Sequence, residues 1–137
     1  MKRIVLGYDA SPTAQRALER TAQLAAAFES SVLVASVAPV YELARREVET
    51  HDEPSARTAL HAEMAEDAVA RLTELGVEAM PLTGLGHTAE TLVELADEGE
   101  ADLIVVGMSS RDVPTSIFGG VSDDVAHEAN CDVLLVH

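Results

Sequence analysis

The chain has 137 residues, which suits a single domain, 1–137, able to bury about two thirds of its unfolded surface. Its formal net charge is −15, only nine residues are Lys or Arg, and Lys2 is the one lysine; such a chain repels phosphate backbones, and nucleic-acid binding is excluded. A lone cysteine, Cys131, excludes an internal disulfide and fits a reducing, cytoplasmic setting, and no apolar run reads as a signal peptide or a membrane span.

Aromatic residues make up 3% of the chain and Trp is absent, so the core has to come from Ala, Val and Leu. Acid-rich, Lys-poor and Ala-rich composition is the pattern expected of a cytosol with molar salt, where the Debye length falls to about 3 Å and self-repulsion is screened. That points to a halophilic source; an ordinary acidic protein is the plain alternative.

Lys2 to Tyr8 predicts the first strand, with Asp9 at its C-terminal end. Ser11-Pro12 reads as an N-cap followed by proline at the first helical position. Ala14, Ala17, Leu18, Thr21, Leu24, Ala25 and Phe28 recur at helical spacing and carry helix one to about Glu29. Ser31 to Val37 is strand two, ended by Pro39. The charged stretch from Tyr41 to Pro54 has no core-forming repeat and reads as a loop. Leu60, Met64, Ala68, Leu72 and Leu75 form the stripe of helix two, and Gly76 supplies its stop.

Val77 to Thr83 is a short third strand. Pro81 inside it cannot donate a ladder hydrogen bond, so the strand belongs at a sheet edge. Thr88 caps helix three, whose inward side is Ala89, Leu92, Val93, Leu95 and Ala96. Asp102 to Val106 is strand four. Phe118, Val121, Val125 and Ala129 face inward from helix four, Asn130 is a left-handed helix stop, and Asp132 to Val136 is strand five.

Five strands alternating with four helices imply an α/β fold, an open five-stranded parallel sheet of order 3-2-1-4-5 with helices on both faces. Strands one and four are then neighbours at the point where winding reverses. Ligands of open α/β sheets bind in that crevice, beyond the strand C-termini. Asp9 and Gly107 stand at those two ends. Gly107 to Ser122 is a strand, a glycine loop and a helix start, which reads equally as a phosphate cradle or as a turn that lets the next helix pack.

Ile4-Val5-Leu6-Gly7-Tyr8-Asp9-Ala10-Ser11, Gly86 through Gly107, Phe118-Gly119-Gly120-Val121 and Cys131-Asp132-Val133-Leu134-Leu135-Val136 resemble, in order, the universal stress protein family. The resemblance covers nearly the whole chain. It implies an adenine nucleotide alpha hydrolase-like fold and a small cytoplasmic stress-response protein that is usually a homodimer, here through strand five. It also implies an adenine nucleotide, ATP or AMP, with Mg where a triphosphate is bound. Asp9 would approach the ribose or adenine, and Val37 would offer its backbone to the base. Gly107, Ser109 and Ser110 would line the near side, and Gly119, Gly120, Val121 and Ser122 would meet phosphate.

The family's nucleotide-binding branch reads Gly, two residues, Gly, nine residues, then Gly with Ser or Thr. Here Ser110 stands at the second glycine, eight residues separate it from Gly119, and Gly120 stands where the hydroxyl belongs. Serine restricts that backbone, and the missing hydroxyl removes a phosphate donor. The adenosine half looks kept and the phosphate half weakened. The alternative is a dimeric protein-interaction module that has lost nucleotide binding and offers Arg45 to Glu53 to an unknown partner.

Other constellations carry less. Gly84-Leu85-Gly86-His87-Thr88-Ala89 matches the dinucleotide fingerprint G-x-G-x-x-A, but follows the wrong strand and lacks an acid at the end of the next one, so it reads as a turn into a helix. Asp9 as a phospho-acceptor lacks the partner acid and lysine of receiver domains; an Asx-type cap on the turn into helix one is its plain reading. The histidines have no metal-ligand spacing, and His61 and His127 read as solvated. Cys131 reads as a small core residue, and Asp123-Asp124 as partners of a helix dipole. No nucleophile elbow, P-loop lysine or water-activating residue is placed for catalysis, so an enzyme is not expected beyond weak ATP hydrolysis.

Overall fold

Short β-branched runs and amphipathic Ala/Leu stripes alternate along the chain, and the backbone follows them. The structure is a computed structural model that describes residues 1–39, 54–108 and 120–137. Its elements are β1 (Arg3–Gly7), α1 (Pro12–Phe28), β2 (Ser31–Pro39), α2 (Pro54–Glu74), β3 (Ala79–Gly86), α3 (Thr88–Glu98), β4 (Leu103–Gly107), α4 (Val121–Glu128) and β5 (Asp132–Val136). They form one sheet of order β3-β2-β1-β4-β5. Every pairing is parallel, with Gly7 opposite Ala35, Leu6 opposite Val105, and Gly107 opposite Val136.

Period-two alternation divides the strands between two apolar layers. Ile4, Leu6, Val32, Val34, Leu103 and Val105 meet Ala17, Leu18, Ala22 and Ala25 of α1 and Ala65, Ala68 and Leu72 of α2. Val5, Ala35, Val37, Ile104 and Val106 meet Ala89, Leu92 and Ala96 of α3 and Val125 of α4. Alanine dominates the helix sides of both layers. Small side chains bring the helices close to the sheet, which is how a chain so poor in aromatics fills its interior.

Pro81 sits where the sequence places it, on the edge strand β3. The Val32 N–H donates to the Glu78 carbonyl at 2.9 Å. Bonding alternates along a parallel strand, so even-numbered residues of β3 face β2 and Pro81 turns its nitrogen outward. The missing donor therefore leaves no gap in the ladder. Gly76, at φ +81°, closes α2 in a Schellman motif: its N–H meets the Thr73 carbonyl at 3.0 Å, and that of Val77 meets Leu72 at 3.0 Å. Glu29 and Glu100 take the same left-handed role after α1 and α3 without being glycine.

Some local expectations need correction. Phe28 and Leu75 belong to the inward stripes of α1 and α2, three residues past Ala25 and Leu72, yet they are 55% and 53% exposed. Phe28 is the last residue of α1 and Leu75 follows the last residue of α2, so both stripes run out at the helix ends. His61 is not solvated: it is 7% exposed, and its Nδ1 lies 2.9 Å from the Ser36 hydroxyl inside the α2–β2 layer. His87, not Thr88, is the N-cap of α3, and no side chain caps that end. The residue after α4, Ala129, is extended (φ −64°, ψ 144°), so Asn130 is not a left-handed stop; its amide donates to Asp97 Oδ2 at 2.9 Å.

Candidate functional site

The turn between β1 and α1 is built by Asp9, Ala10 and Ser11. Asp9 is exposed, and its Oδ1 accepts the Ser11 N–H at 2.9 Å, so the Asx-type turn is real. Ser11 then caps α1, its Oγ accepting from the Ala14 N–H at 3.2 Å, with Pro12 at the first helical position. Between them Ala10 is left-handed at φ +64°. A non-glycine residue held there is strained, and such strain gathers where a fold positions a site. The Gln15 side chain steadies the turn by donating to the Ala10 carbonyl at 3.1 Å.

Parallel register brings the other two strand ends to this turn. Gly7 pairs with Ala35, and the Tyr8 N–H donates to the Ala35 carbonyl at 2.9 Å. Two residues further along each strand lie Asp9 and Val37. Val37 is buried with its side chain in the α3 layer, which leaves its backbone as the part available to a ligand. On the other side, β4 runs beside β1 and ends at Gly107. A Cβ at Gly107 would stand 2.6 Å from the Thr13 carbonyl carbon and 2.8 Å from the Ala14 nitrogen. The glycine therefore lets the start of α1 lie directly against the end of β4.

Asp9, Val37 and Gly107 thus converge at the C-terminal ends of β2, β1 and β4, at the winding reversal. Gly120 is the N-cap of α4, and its carbonyl accepts from the Asp123 N–H at 3.0 Å and the Asp124 N–H at 3.2 Å. Val121 does not face inward but is 39% exposed, whereas Ser122 is 2% exposed. Asp123 and Asp124 occupy the first turn of α4 and offset part of its positive end. Ser109, Ser110, Gly119, Phe118 and the Arg45 to Glu53 stretch lie outside the described residues.

The remaining motifs settle elsewhere. Gly84 and Gly86 belong to β3 rather than to a phosphate turn, and a Cβ at either would meet Thr91 of α3, at 2.5 Å and 2.8 Å. They allow close strand–helix packing. Cys131 is half-buried; burial first, then the carboxylates of Asp97, Asp132 and Asp102, push its thiol up, away from reactivity. No group of three or more metal-ligating side chains occurs among the described residues. No helix of the described residues is long and apolar enough to cross a membrane.

Sequence reasoning missed the Tyr8 environment. Burial is the main cause that raises the Tyr8 pKa, opposed by Arg71 and assisted by Asp67 and Asp9. A tyrosine inside an otherwise aliphatic first strand was the available signal.

The fold recurs in known proteins. The chain is 35% identical over 142 residues to a universal stress protein of Mycobacterium tuberculosis, covering 99% of this chain and 96% of the relative. Among solved structures, a universal stress protein in complex with cAMP superposes with a TM-score of 0.78 at 29% identity, covering 99% of this chain and 96% of that one. The Archaeoglobus fulgidus universal stress protein in complex with dAMP has a TM-score of 0.76 at 24% identity, covering 100% and 98%, a likeness of fold. The profile of the universal stress protein family matches residues 1–137. With the sheet order, the strand-end glycine and the capped turn already in place, the chain belongs to the universal stress protein family.

Proposed function

We propose that this protein binds an adenine nucleotide in the crevice between β1 and β4 and acts as a small cytoplasmic stress-response sensor. The observation that carries the reading is the convergence of Asp9, Val37 and Gly107 at three adjacent strand ends. The relative solved with cAMP supports the ligand class. In this reading the Asp9 carboxylate, while holding the Ser11 N–H, accepts a ribose hydroxyl with its free oxygen, and the Val37 backbone meets the base. Gly119, Gly120, Val121 and Ser122 receive phosphate, with Ser109 and Ser110 beside Gly107. The acids at Asp123 and Asp124 disfavour a triphosphate, so AMP and cAMP bind more tightly than ATP, with or without Mg. Among the described residues none in the crevice is placed to activate water, and in this reading turnover of ATP is at most weak.

Isothermal titration with AMP, cAMP and ATP in high salt tests this. Heat and a thermal shift with a monophosphate support it; neither heat nor shift with any of the three removes it. The same measurements repeated in low salt test the halophilic reading, which expects a melting temperature that rises toward molar KCl.

A second reading has its own observation. β5 is an edge strand whose Val133, Leu134, Leu135 and Val136 are all only partly covered. We infer that it pairs with its copy across a two-fold axis, so that the protein is a homodimer and, without nucleotide, an interaction module for an unidentified protein. A sedimentation mass of one chain across working concentrations overturns this.

A further inference from the structure

Beside Tyr8 a cleft opens between α1 and α2. It has a volume of about 100 Å³ and is lined by Tyr8, Gln15, Leu18, Glu19 and Arg71. That is room for a few waters or for one small solute of the size of an amino acid.

The lining has a definite chemical balance. Arg71 and Glu19 form an ion pair at 3.1 Å across the mouth of the cleft, and both are well exposed. Such a pair is worth little in water and opens readily. The Tyr8 hydroxyl hydrogen-bonds to no described residue. Gln15 spends one of its two amide N–H groups on the Ala10 carbonyl, which leaves the other N–H and the Oε1 acceptor. The cleft therefore presents donors in the Arg71 guanidinium, the Tyr8 hydroxyl and the remaining Gln15 N–H, and acceptors in the Glu19 carboxylate and Gln15 Oε1. Leu18 supplies an apolar floor.

That balance selects its guest. A solute with a single charge would pair with one member of the Arg71–Glu19 couple and leave the other to water. A neutral solute would use neither. A molecule carrying both a carboxylate and an ammonium replaces both partners at once: its carboxylate meets Arg71 and Tyr8, and its ammonium meets Glu19 and Gln15 over the tyrosine ring. We propose that the α1–α2 cleft is a second ligand site, separate from the crevice, that takes a small zwitterion of the amino-acid class.

The chain has no Trp and two tyrosines, so replacing Tyr41 by Phe leaves Tyr8 as the sole fluorophore of this kind. In that background, Tyr8 fluorescence is titrated with glycine, acetate and methylammonium chloride at constant ionic strength. Saturation with glycine is expected, about tenfold tighter than with either single-charge probe. Arg71→Gln and Glu19→Gln, at exposed positions that the fold does not depend on, each weaken glycine about tenfold. A response that does not saturate, that acetate or methylammonium reproduces, or that survives both substitutions overturns the site. The titration is run without nucleotide. Glycine binding without AMP binding refutes the crevice reading alone, and AMP binding without glycine binding refutes this one alone.

Discussion

Gly107 and Thr13 lie in contact backbone to backbone: a Cβ on Gly107 would stand 2.6 Å from the Thr13 carbonyl carbon and 2.7 Å from its Oγ1. The end of β4 and the start of α1 lie too close for any side chain on Gly107. Replacement by alanine drives a methyl group into main chain that cannot rotate away. Gly107→Ala is expected to lower stability by about 1–3 kcal/mol, read as a drop in the urea midpoint at unchanged slope. An unchanged midpoint would show that the α1 start can yield.

Ala10 and Glu29 occupy left-handed backbone, at φ +64° and +54°. Neither has the freedom of glycine there. Ala10→Gly and Glu29→Gly are each expected to raise stability by about 0.5–1 kcal/mol, the relief at the left-handed residue exceeding the added freedom of the unfolded chain. Thermal melts of the two variants check this, and a lowered midpoint in either contradicts it. For Ala10 the relief also loosens a turn of the crevice, so AMP affinity is measured on the same protein.

Asp9 has two separable jobs. Its Oδ1 holds the Ser11 N–H, and an asparagine oxygen can do the same. Asp9→Asn should therefore melt close to the parent, while Asp9→Ala loses about 1 kcal/mol. Both should weaken AMP about tenfold or more if the carboxylate accepts a ribose hydroxyl. Unchanged AMP affinity in Asp9→Asn would leave Asp9 as a turn residue only.

The pH response has an acid arm and an alkaline arm. Asp102 Oδ2 accepts the Arg3 N–H at 3.0 Å and the Lys2 N–H at 2.7 Å, and these bonds hold its pKa below the usual carboxylate value. A carboxylate lowered in the folded state adds stability above its unfolded pKa and loses it as pH falls through the folded one. The stability gap between parent and Asp102→Ala should thus be present at neutral pH and close in acid. Tyr8 and Cys131 are raised by burial, so their neutral forms favour the fold. Their contribution is complete below their unfolded pKa values and fades as pH rises through the folded ones. Urea midpoints across pH test both arms, and alkylation of Cys131 at pH 8 should be slower in folded than in unfolded protein.

The sheet was legible from the sequence because its signals are local and redundant. Pro81 announced an edge, Ser11-Pro12 announced a helix start, and Gly76 announced a stop; the structure honours all three. Asp9 and Gly107 follow neighbouring strands, as expected, because parallel winding leaves few alternatives for five strands. What the sequence could not show depends on contacts made across the fold. His61 looks like one polar residue among many on α2 until Ser36, 25 positions away, is found beneath it. The exposure of Phe28 and Leu75 depends on where the sheet stops, which helical spacing does not encode. Val121 continues a helical stripe on paper, but α4 begins there, at the rim of the sheet, and leaves it outside.

The outward-facing ring nitrogen of Pro81 has a last consequence. It interrupts the donor row along one rim of the sheet, so another sheet cannot be added there in unbroken register. Among the described residues the opposite rim, at β5, carries no proline. If copies pair through β5 as proposed, growth by edge pairing would end after one step, because two molecules joined there would present only proline-bearing rims. A fibre would need two proline-free rims, and this chain supplies one.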